Sequence, residues 1–345
     1  MIYIKPNEFK INNYTFLFFD IFHKNNKLHL IIPSFTYKEE DIRENLIITC
    51  NDKKLEIIEY HIGHMREVST VIIFDCIVEN NKNLFKINYL EHNTNIELEH
   101  IQTVVDKEKR FLALTTICKN DYQLFDLFYK HYNKIGIDHY FIYFNSIVTD
   151  KVKKVFDKEN VTLIEWNVPY RCKVKRGVMH GQGGQMQDAL YKYGKDNYEY
   201  MMFNDFDEYV FERNTSLKNV LREKAPEWLI IFNQWAYSSD ITVFPPKELP
   251  TKFKVANVIT SRPKNIYRTE HINLVAVHGP YKVKNKYRKQ HKYIIHGLYG
   301  FFSFFHFYQL SPKRKRRMRT HLTIDTEKEK NNPNYIREYR HKQKD

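Results

Sequence analysis

The sequence predicts an all-β domain followed by an α/β domain with a Rossmann-like sheet. Three observations lead to this fold class. Short apolar runs separated by turns recur from Ile2 to about Gln102, strands alternate with amphipathic helices after Arg110, and the strand Tyr198–Phe203 leads directly into two carboxylates. The composition agrees, because 345 residues with 42% hydrophobic and 15% aromatic content can fill large cores.

Residues 1–105 carry the pattern of a β-sandwich. Asparagine, aspartate and lysine turns separate apolar runs that include FLFFDIF, KLHLIIPSF, NLIITC, KLEIIEY, TVIIFDC and LFKINYL. No charged cluster or glycine-rich loop in this region indicates chemistry. We therefore predict an accessory domain that helps to position an acceptor.

Residues 106–311 are predicted to form the α/β domain, which begins in the charged segment Asp106–Arg110. The predicted elements are a strand at Phe111–Cys118, a helix from Asn120 or Asp121 to Ile135 that ends at Gly136, a strand at His139–Phe144, a helix at Asp150–Glu159, a strand at Val161–Trp166 and a helix at Gln185–Tyr193. Right-handed crossovers between them would build a Rossmann-like sheet. The segment Gly181–Gly184 does not follow a predicted strand, which disfavours dinucleotide binding.

Two aspartates follow the strand Tyr198–Phe203, whose aromatic, nearly uncharged sequence suits a strand buried on both faces. In an extended chain Asp205 and Asp207 point the same way, while Phe206 turns back into the core. Ligands of open α/β sheets bind at the carboxyl ends of strands, so the pair predicts a Mg²⁺ or Mn²⁺ site that also binds substrate phosphates. By chance alone, a D-x-D occurs about once in a chain of this length.

Several segments occur in an order that resembles one enzyme group. They are LTTICKNDYQLFDLFYKHYNKIGIDHYFIYFNS (114–146), WNVPY (166–170), QMQDAL (185–190), NDFDEY (204–209), QWAYSS (234–239), KNIYR (264–268), Val277–His278 and HFYQLS (306–311). Together they resemble the inverting GT-A glycosyltransferases of family 92 and their family 2-like relatives, over roughly Arg110–Ser311. Phe144 departs from the pattern, because a carboxylate is common there and often faces the nucleotide.

The resemblance implies a GT-A domain with a nucleotide-sugar donor, a divalent metal and a glycan acceptor. We expect transfer of a sugar, with galactose as the first guess, from a UDP-sugar to an acceptor hydroxyl with inversion. The implied donor-binding residues are Thr116, Lys119, Asn120, Asn145, Gln185, Asp188 and Asp205. Lys264 and Arg268 lie in a short basic segment that suits the diphosphate, with a solvated loop as the alternative.

Asp205 and Asp207 are predicted to hold Mn²⁺ or Mg²⁺. His278 is the predicted third ligand, because neutral imidazole suits Mn²⁺ and the similar enzymes carry a late Val-His at this point. His278 also ends an apolar run before a glycine, so an ordinary polar strand end is the alternative.

Inversion requires a carboxylate that takes the proton from the acceptor hydroxyl. Asp240 is the predicted base, with Glu208 in reserve. Trp235 and Tyr237 are predicted to form an apolar platform for the acceptor sugar, although aromatic residues two apart also pack in cores.

The chain has 55 lysine and arginine residues against 41 acidic ones, and its net charge of +14 favours anionic partners. The basic run Pro312–Arg319 opens a charged tail at residues 312–345, which suits an anionic membrane surface, a nuclear address or a solvated face. Two other function classes stay open: a nucleic-acid-binding protein that uses this tail, and a metal-dependent nucleotidyl or phosphoryl transferase. Nucleic acid is disfavoured because no aromatic residues interleave with the basic run.

No apolar run at the start suits a signal peptide, since Lys5, Glu8 and Lys10 interrupt it. The apolar segment Gly297–Leu310 is shorter than the roughly 20 residues that span a bilayer, and it predicts a core strand or helix. The four cysteines are scattered, so neither a zinc ribbon nor a disulfide framework is indicated. We expect a cytoplasmic protein, with peripheral membrane contact through Pro312–Arg319 as an option.

Overall fold

The structure is a computed structural model. It describes residues 1–12, 15–33, 37–65, 67–78, 81–101, 109–174, 177–213, 215–238, 240–259, 263–283, 292–295, 302–307, 310 and 336–340. The predicted boundary at residues 105 and 106 and the basic run Pro312–Arg319 lie outside the described residues. Within the described ranges, no helix has the length and apolar character needed to cross a bilayer.

The N-terminal part of the chain is rich in short strands, as its sequence pattern predicts. In order these are β1 (Ile2–Ile4), β2 (Phe9–Asn12), β3 (Thr15–Phe18), β4 (Asp20–Lys24), β5 (Lys27–Ile32), β6 (Leu46–Cys50), β7 (Lys53–Lys54), β8 (Ile57–His61), β9 (Thr70–Asp75), β10 (Lys82–Tyr89) and β11 (His92–Ile101), with helix α1 (Glu39–Asn45) between β5 and β6. An eight-stranded sheet has the order β7-β6-β10-β11-β4-β5-β9-β8. Side chains from its two halves, such as Leu30 and Phe85, pack in one core.

Strands and helices alternate in the rest of the chain. The strands are β12 (Arg110–Cys118), β13 (His139–Phe144), β14 (Val161–Glu165), β15 (Arg171–Val174), β16 (Gly177–His180), β17 (Tyr198–Phe203), β18 (Glu208–Glu212), β19 (Trp228–Ile231), β20 (Gln234–Tyr237), β21 (Lys252–Ile259), β22 (Lys264–Arg268), β23 (Ile272–Ala276), β24 (Gly279–Val283), β25 (Lys292–Ile295), β26 (Phe302–Phe307) and β27 (Ile336–Arg340). The helices are α2 (Phe125–Ile135), α3 (Asp150–Val155), α4 (Gly181–Asp188) and α5 (Leu217–Lys224). A 3₁₀ turn (Tyr122–Leu124) precedes α2, and a π-helical segment (Ala189–Gly194) continues α4.

The larger sheet has the order β1-β14-β13-β12-β17-β22-β19-β25. From β1 to β17 neighbouring strands are parallel, and β22 is antiparallel to both of its neighbours. The predicted alternation of strands and helices up to Phe203 is confirmed except for the hairpin β15–β16, which lies directly before Gly181 where no strand was predicted. Gly136 ends α2 with a φ of 90° as expected for a left-handed cap. Two segments outside the predicted α/β range join its sheets: Ile2–Ile4 pairs with β14, and Ile336–Arg340 pairs with β21.

Helix α4 begins at Gly181, four residues before its predicted start at Gln185, and its glycines allow close packing. A Cβ atom on Gly184 would lie 2.4 Å from a ring carbon of Phe19, and one on Gly183 would lie 2.8 Å from the backbone of Glu67. The glycine segment therefore brings α4 against the N-terminal strands.

Two cores cover the two faces of the larger sheet. Helices α2, α3 and α5 pack on one face, where Phe128, Val152 and Leu221 share a core with the strand residue Leu114. On the other face, α4 and the N-terminal strands pack together, and the core there includes Phe16, Phe19, Phe22, Met186 and Leu190 with Met201 of β17. Helix α4 thus lies between the two large sheets.

Buried charges join the N-terminal strands to α4 and its extension. Lys192 Nζ lies 2.7 Å from Asp20 Oδ2, and both side chains are buried. Tyr143 donates a hydrogen bond of 2.6 Å to Asp188 beside this pair. Lys24 Nζ donates to the backbone oxygens of Tyr191, Lys192 and Lys195. Carbonyl groups at the end of a helix have no hydrogen-bond partner within the helix, so Lys24 provides one. The second large sheet is therefore bound to the first by charge as well as by apolar contact.

We expect Lys192→Met to destabilise the protein by about 3–5 kcal/mol, because it leaves the buried Asp20 carboxylate without its cation. The measurement is the free energy of unfolding from urea titrations. Lys154→Met, an exposed lysine of α3, serves as the control and should change it by about 0.5 kcal/mol or less. The double variant Asp20→Asn/Lys192→Met should recover part of the loss, and a double variant as unstable as the sum of the single ones contradicts the coupling.

A second prediction concerns the loss of stability at acidic pH. Burial, with the Lys24 charge nearby, lowers the pKa of His29 to about 3, while an unfolded histidine titrates near 6.5. Protons then favour the unfolded chain, so this contribution to stability is complete above about pH 6.5 and is lost as the pH falls towards 3. Between pH 7 and 4.5 the loss is on the order of 2 kcal/mol.

His29→Phe should flatten this part of the pH dependence, because phenylalanine does not titrate and can keep the stacked contact with Phe22. Urea midpoints at pH 7 and 4.5 measure the effect. His64→Phe, at an exposed histidine, should keep the slope of the parent protein. A parent-like slope in His29→Phe refutes the assignment.

Candidate active site

The acid pair lies at the carboxyl edge of the larger sheet, where the sequence places it. Strand β17 ends at Phe203, and Asp205 and Asp207 occupy a turn in which the backbone nitrogen of Glu208 donates to the oxygen of Asp205 at 3.1 Å. The expected extended conformation is therefore wrong, and the two carboxylates have different partners. Phe206 is buried in the core, as predicted.

Lys264 lies between two carboxylates of this turn. Its Nζ is 2.9 Å from Asp205 Oδ2 and 3.0 Å from Glu208 Oε2. Strand β22 runs antiparallel to β17, with Asn265 opposite Phe203, so its first residue reaches the carboxyl edge. Burial lowers the pKa of Lys264, but the two carboxylates more than offset this and raise it above its ordinary value. The ammonium therefore stays charged.

His306 faces the same turn from β26, where it lies opposite Glu208 on β18 and Trp235 on β20. Its Nε2 is 3.0 Å from Asp207 Oδ2, and its Nδ1 is 3.5 Å from Glu208 Oε1. In the part of the chain that the structure describes, Asp207, Glu208 and His306 form the one group of metal-ligating side chains, with ligand atoms within 4.8 Å of one another.

Negative charge dominates the site. Burial raises the pKa of Glu208, with Lys264 opposing and Asp205 adding to the shift. Burial also raises the pKa of Asp121, after β12, to about 6; the backbone N–H of Lys119 opposes this shift, and the Asp207 charge adds to it. One ammonium thus faces several carboxylates, so the site favours a further positive charge.

A small open cleft lies beside the turn, between the ends of β12 and β17 and the start of α4. Gln185 on its wall donates to Thr115 Oγ1 at 2.8 Å. Two buried atoms of cleft residues, Thr116 Oγ1 and Asn204 Oδ1, have no hydrogen-bond partner among the described residues. Such atoms cost about 1–3 kcal/mol each when unpaired, which indicates a place where a ligand or water binds.

A sequence model of glycosyltransferase family 92 matches residues 116–344, more than half of the chain. The chain belongs to glycosyltransferase family 92. It is a glycosyltransferase, as the order of its motifs predicts, and it requires a sugar donor and a glycan acceptor. The match includes Lys264, His306 and the turn with Asp205, Asp207 and Glu208, which we call the acid turn. Family membership favours glycosyl transfer over nucleic-acid binding or nucleotidyl transfer. A comparison with curated protein sequences finds no match.

Part of the predicted donor site of this family-92 enzyme comes together in the structure. The cleft is lined by Thr116, Gln185, Asp205 and Lys264. Lys119 and Asn120 are exposed on the loop after β12, next to the same edge of the sheet.

Three predicted donor residues lie elsewhere. Asn145 donates to the backbone oxygens of residues 166 and 168 at 3.0 and 2.5 Å, so it fixes the loop after β14. Asp188 is buried at the contact with the N-terminal strands, bound by Tyr143. Arg268 lies opposite Tyr200 at the far end of β22, roughly 13 Å along the strand from Lys264. None of these three residues lines the cleft, so they are not part of the proposed donor site.

The histidine that lies beside the carboxylates is His306 and not His278, the predicted third metal ligand. His278 Nδ1 lies 3.4 Å from the backbone oxygen of Pro263, whereas His306 is the histidine grouped with Asp207 and Glu208. The sequence contained a signal for His306, since it interrupts the apolar run Gly297–Leu310, where a titratable residue often marks a functional site.

The predicted acceptor residues lie on and after β20. The Trp235 ring packs on His306, with ring centroids 4.2 Å apart, and Tyr237 is half-buried two residues later. Asp240 is exposed beyond the end of the strand, and Ser239 lies outside the described residues. Trp235 is therefore in contact with the acid site.

Proposed function

We propose that this family-92 enzyme transfers a sugar from a UDP-sugar, with UDP-galactose as the first choice, to a glycan hydroxyl with inversion and with Mn²⁺ or Mg²⁺. The observation that carries the proposal is the buried acid turn with Lys264 at the carboxyl edge of the larger sheet. The parallel strands lie in the order β14-β13-β12-β17, which supports a Rossmann-like GT-A arrangement with its ligand at this edge. We propose that residues 1–105 form mainly a β-sandwich accessory region.

The residues of the turn fit a divalent cation. Adjacent ligands of an octahedral ion with bonds of about 2.1 Å lie about 3 Å apart. Asp207 Oδ2 and His306 Nε2 are separated by 3.0 Å, and Glu208 offers a further oxygen. Carboxylates with one imidazole suit Mn²⁺, whereas Mg²⁺ prefers oxygen. Asp207 and His306 would hold the ion, with Asp205 and Glu208 beside them, and the ion would supply positive charge to the departing diphosphate.

Lys264 would add a positive charge from the protein to that of the metal ion. Its ammonium lies at the cleft wall, held by Asp205 and Glu208, so it can meet a diphosphate without first being ordered. Thr116 Oγ1 and Asn204 Oδ1 would form hydrogen bonds with the nucleotide sugar, since neither atom has a partner among the described residues. Gln185 is a further contact from α4.

Asp240 remains the proposed base. It is exposed after β20, the strand that presents Trp235 to the acid site, so an acceptor sugar against Trp235 and Tyr237 would have a carboxylate nearby. Glu208 is less suited to that role, because Lys264 and the backbone nitrogen of Asp205 bind one of its oxygens at 3.0 and 2.9 Å. We assign Glu208 to holding the turn.

We expect UDP or a UDP-sugar to be selected in a thermal-shift screen of nucleotides with Mn²⁺. A ligand at ~100 times its Kd adds roughly 2.7 kcal/mol of stability, which such a screen detects. UDP-galactose should stabilise the protein at least as well as UDP and should be hydrolysed slowly without an acceptor. Stabilisation by GDP or CMP compounds, with no response to UDP, refutes the donor assignment.

The two histidines give a second test. His306→Ala should weaken Mn²⁺ binding in the presence of UDP by at least about tenfold, because it removes a ligand. His278→Ala is the matched control and should keep the affinity of the parent protein. Titration calorimetry measures both, and the reverse order of the two variants would assign the metal to His278 instead.

A further inference from the structure

Tyr132 lies on α2 behind the acid turn and is fully buried. Its ring packs against Phe128, with centroids 4.5 Å apart, and stacks on Tyr209 of β18. A phenylalanine could make the same apolar contacts. The hydroxyl therefore requires a separate explanation.

The hydroxyl of Tyr132 makes every hydrogen bond that a phenol can make. It donates to the backbone oxygen of Glu208 at 2.9 Å. It accepts from Asn204 Nδ2 at 2.5 Å and from the backbone nitrogen of Val210 at 3.2 Å. A phenol has one hydrogen to donate and two lone pairs to accept with, so all three are used. Burial raises the pKa of Tyr132 well above its ordinary value, which keeps the donated proton in place.

All three partners belong to one short segment. Asn204 lies immediately before Asp205, and Glu208 and Val210 follow Asp207. One oxygen atom thus fixes both ends of the turn that carries the carboxylates. Without the hydroxyl, the Asn204 side chain and the backbone groups of Glu208 and Val210 would lose the partner that they share.

We propose that Tyr132 is a positioning residue, whose hydroxyl holds the turn of residues 204–210 in the geometry that binds the ion and the donor. The inference rests on the proposed function. Residues that orient metal ligands through hydrogen bonds typically change metal affinity by about 10–100-fold when they are replaced. Tyr132 contacts neither the cleft nor a metal-ligating atom, so it acts through the turn.

The test is Tyr132→Phe in the full chain, with Tyr129→Phe as the matched control. Tyr129 is on the same helix, and its hydroxyl donates to Asn160 Oδ1 at 2.8 Å, away from the acid turn. Each variant thus loses one buried or partly buried hydroxyl from α2. Three readouts apply: Mn²⁺ affinity by calorimetry with and without UDP, amide hydrogen exchange, and the free energy of unfolding.

Tyr132→Phe should bind Mn²⁺ about 10–100-fold more weakly than the parent protein, and the amides of residues 205–210 should exchange faster while those of β12 and β13 do not. Tyr129→Phe should keep both properties. A merely structural tyrosine would lower the unfolding free energy without changing the ion affinity of the folded protein. Parent-like affinity or parent-like exchange in Tyr132→Phe overturns the proposal.

Two further outcomes are informative. A parent protein that binds no Mn²⁺ with or without UDP refutes the proposed metal dependence, and the exchange of the Val210 amide then decides the positioning role. If Tyr132→Phe does not fold, Asn204→Ala removes one of the three hydrogen bonds, and parent-like exchange across residues 205–210 in that variant overturns the proposal.

Discussion

The burial of negative charge at the carboxyl edge of the larger sheet is the constraint on which the active site depends. Carboxylates removed from water must be paired or hydrogen-bonded, and the chain meets this need with groups from distant strands. Lys264 comes from an antiparallel strand, and His306 comes from a strand of a neighbouring sheet. A buried ion pair adds little net stability, so a role in binding explains this arrangement better than stability does. Because β22 runs antiparallel to β17, its first residue, Lys264, lies at this edge.

Helix α4 connects this site to the N-terminal strands. Its first turns line the cleft, and its glycines bring it against Phe19 and Glu67. Farther along, the π-helical extension carries Lys192, whose charge is satisfied by Asp20 of the N-terminal region. A helix with these neighbours on both sides cannot relax independently of either sheet. The N-terminal strands therefore help to set the shape of the cleft beside the acid turn, although no side chain of theirs lines it among the described residues.

The sequence was sufficient for local elements and insufficient for distant pairings. The strands and helices up to Phe203 could be predicted because periodicity and the Gly136 cap are local signals. The acid turn could be placed for the same reason. His306 could not be joined to Asp207, 99 residues earlier, because pairing between distant strands leaves no local pattern. Arg268 was placed in the donor site because the segment KNIYR does not reveal which of its ends meets the cleft.

Strand β1 has a consequence for the order of folding. Ile2–Ile4 pairs in parallel with Val161–Glu165, so during synthesis β1 waits for a partner that follows the entire N-terminal sheet. Contacts between residues so far apart in the chain form late, since the intervening loop must close first. Once β14 is made and until β1 pairs with it, β14 presents an open edge with unpaired backbone groups, to which another nascent chain can add. Strand β1 therefore closes the β14 edge of the larger sheet, and a folding intermediate in which this pairing has not formed would carry its vulnerable edge at β14.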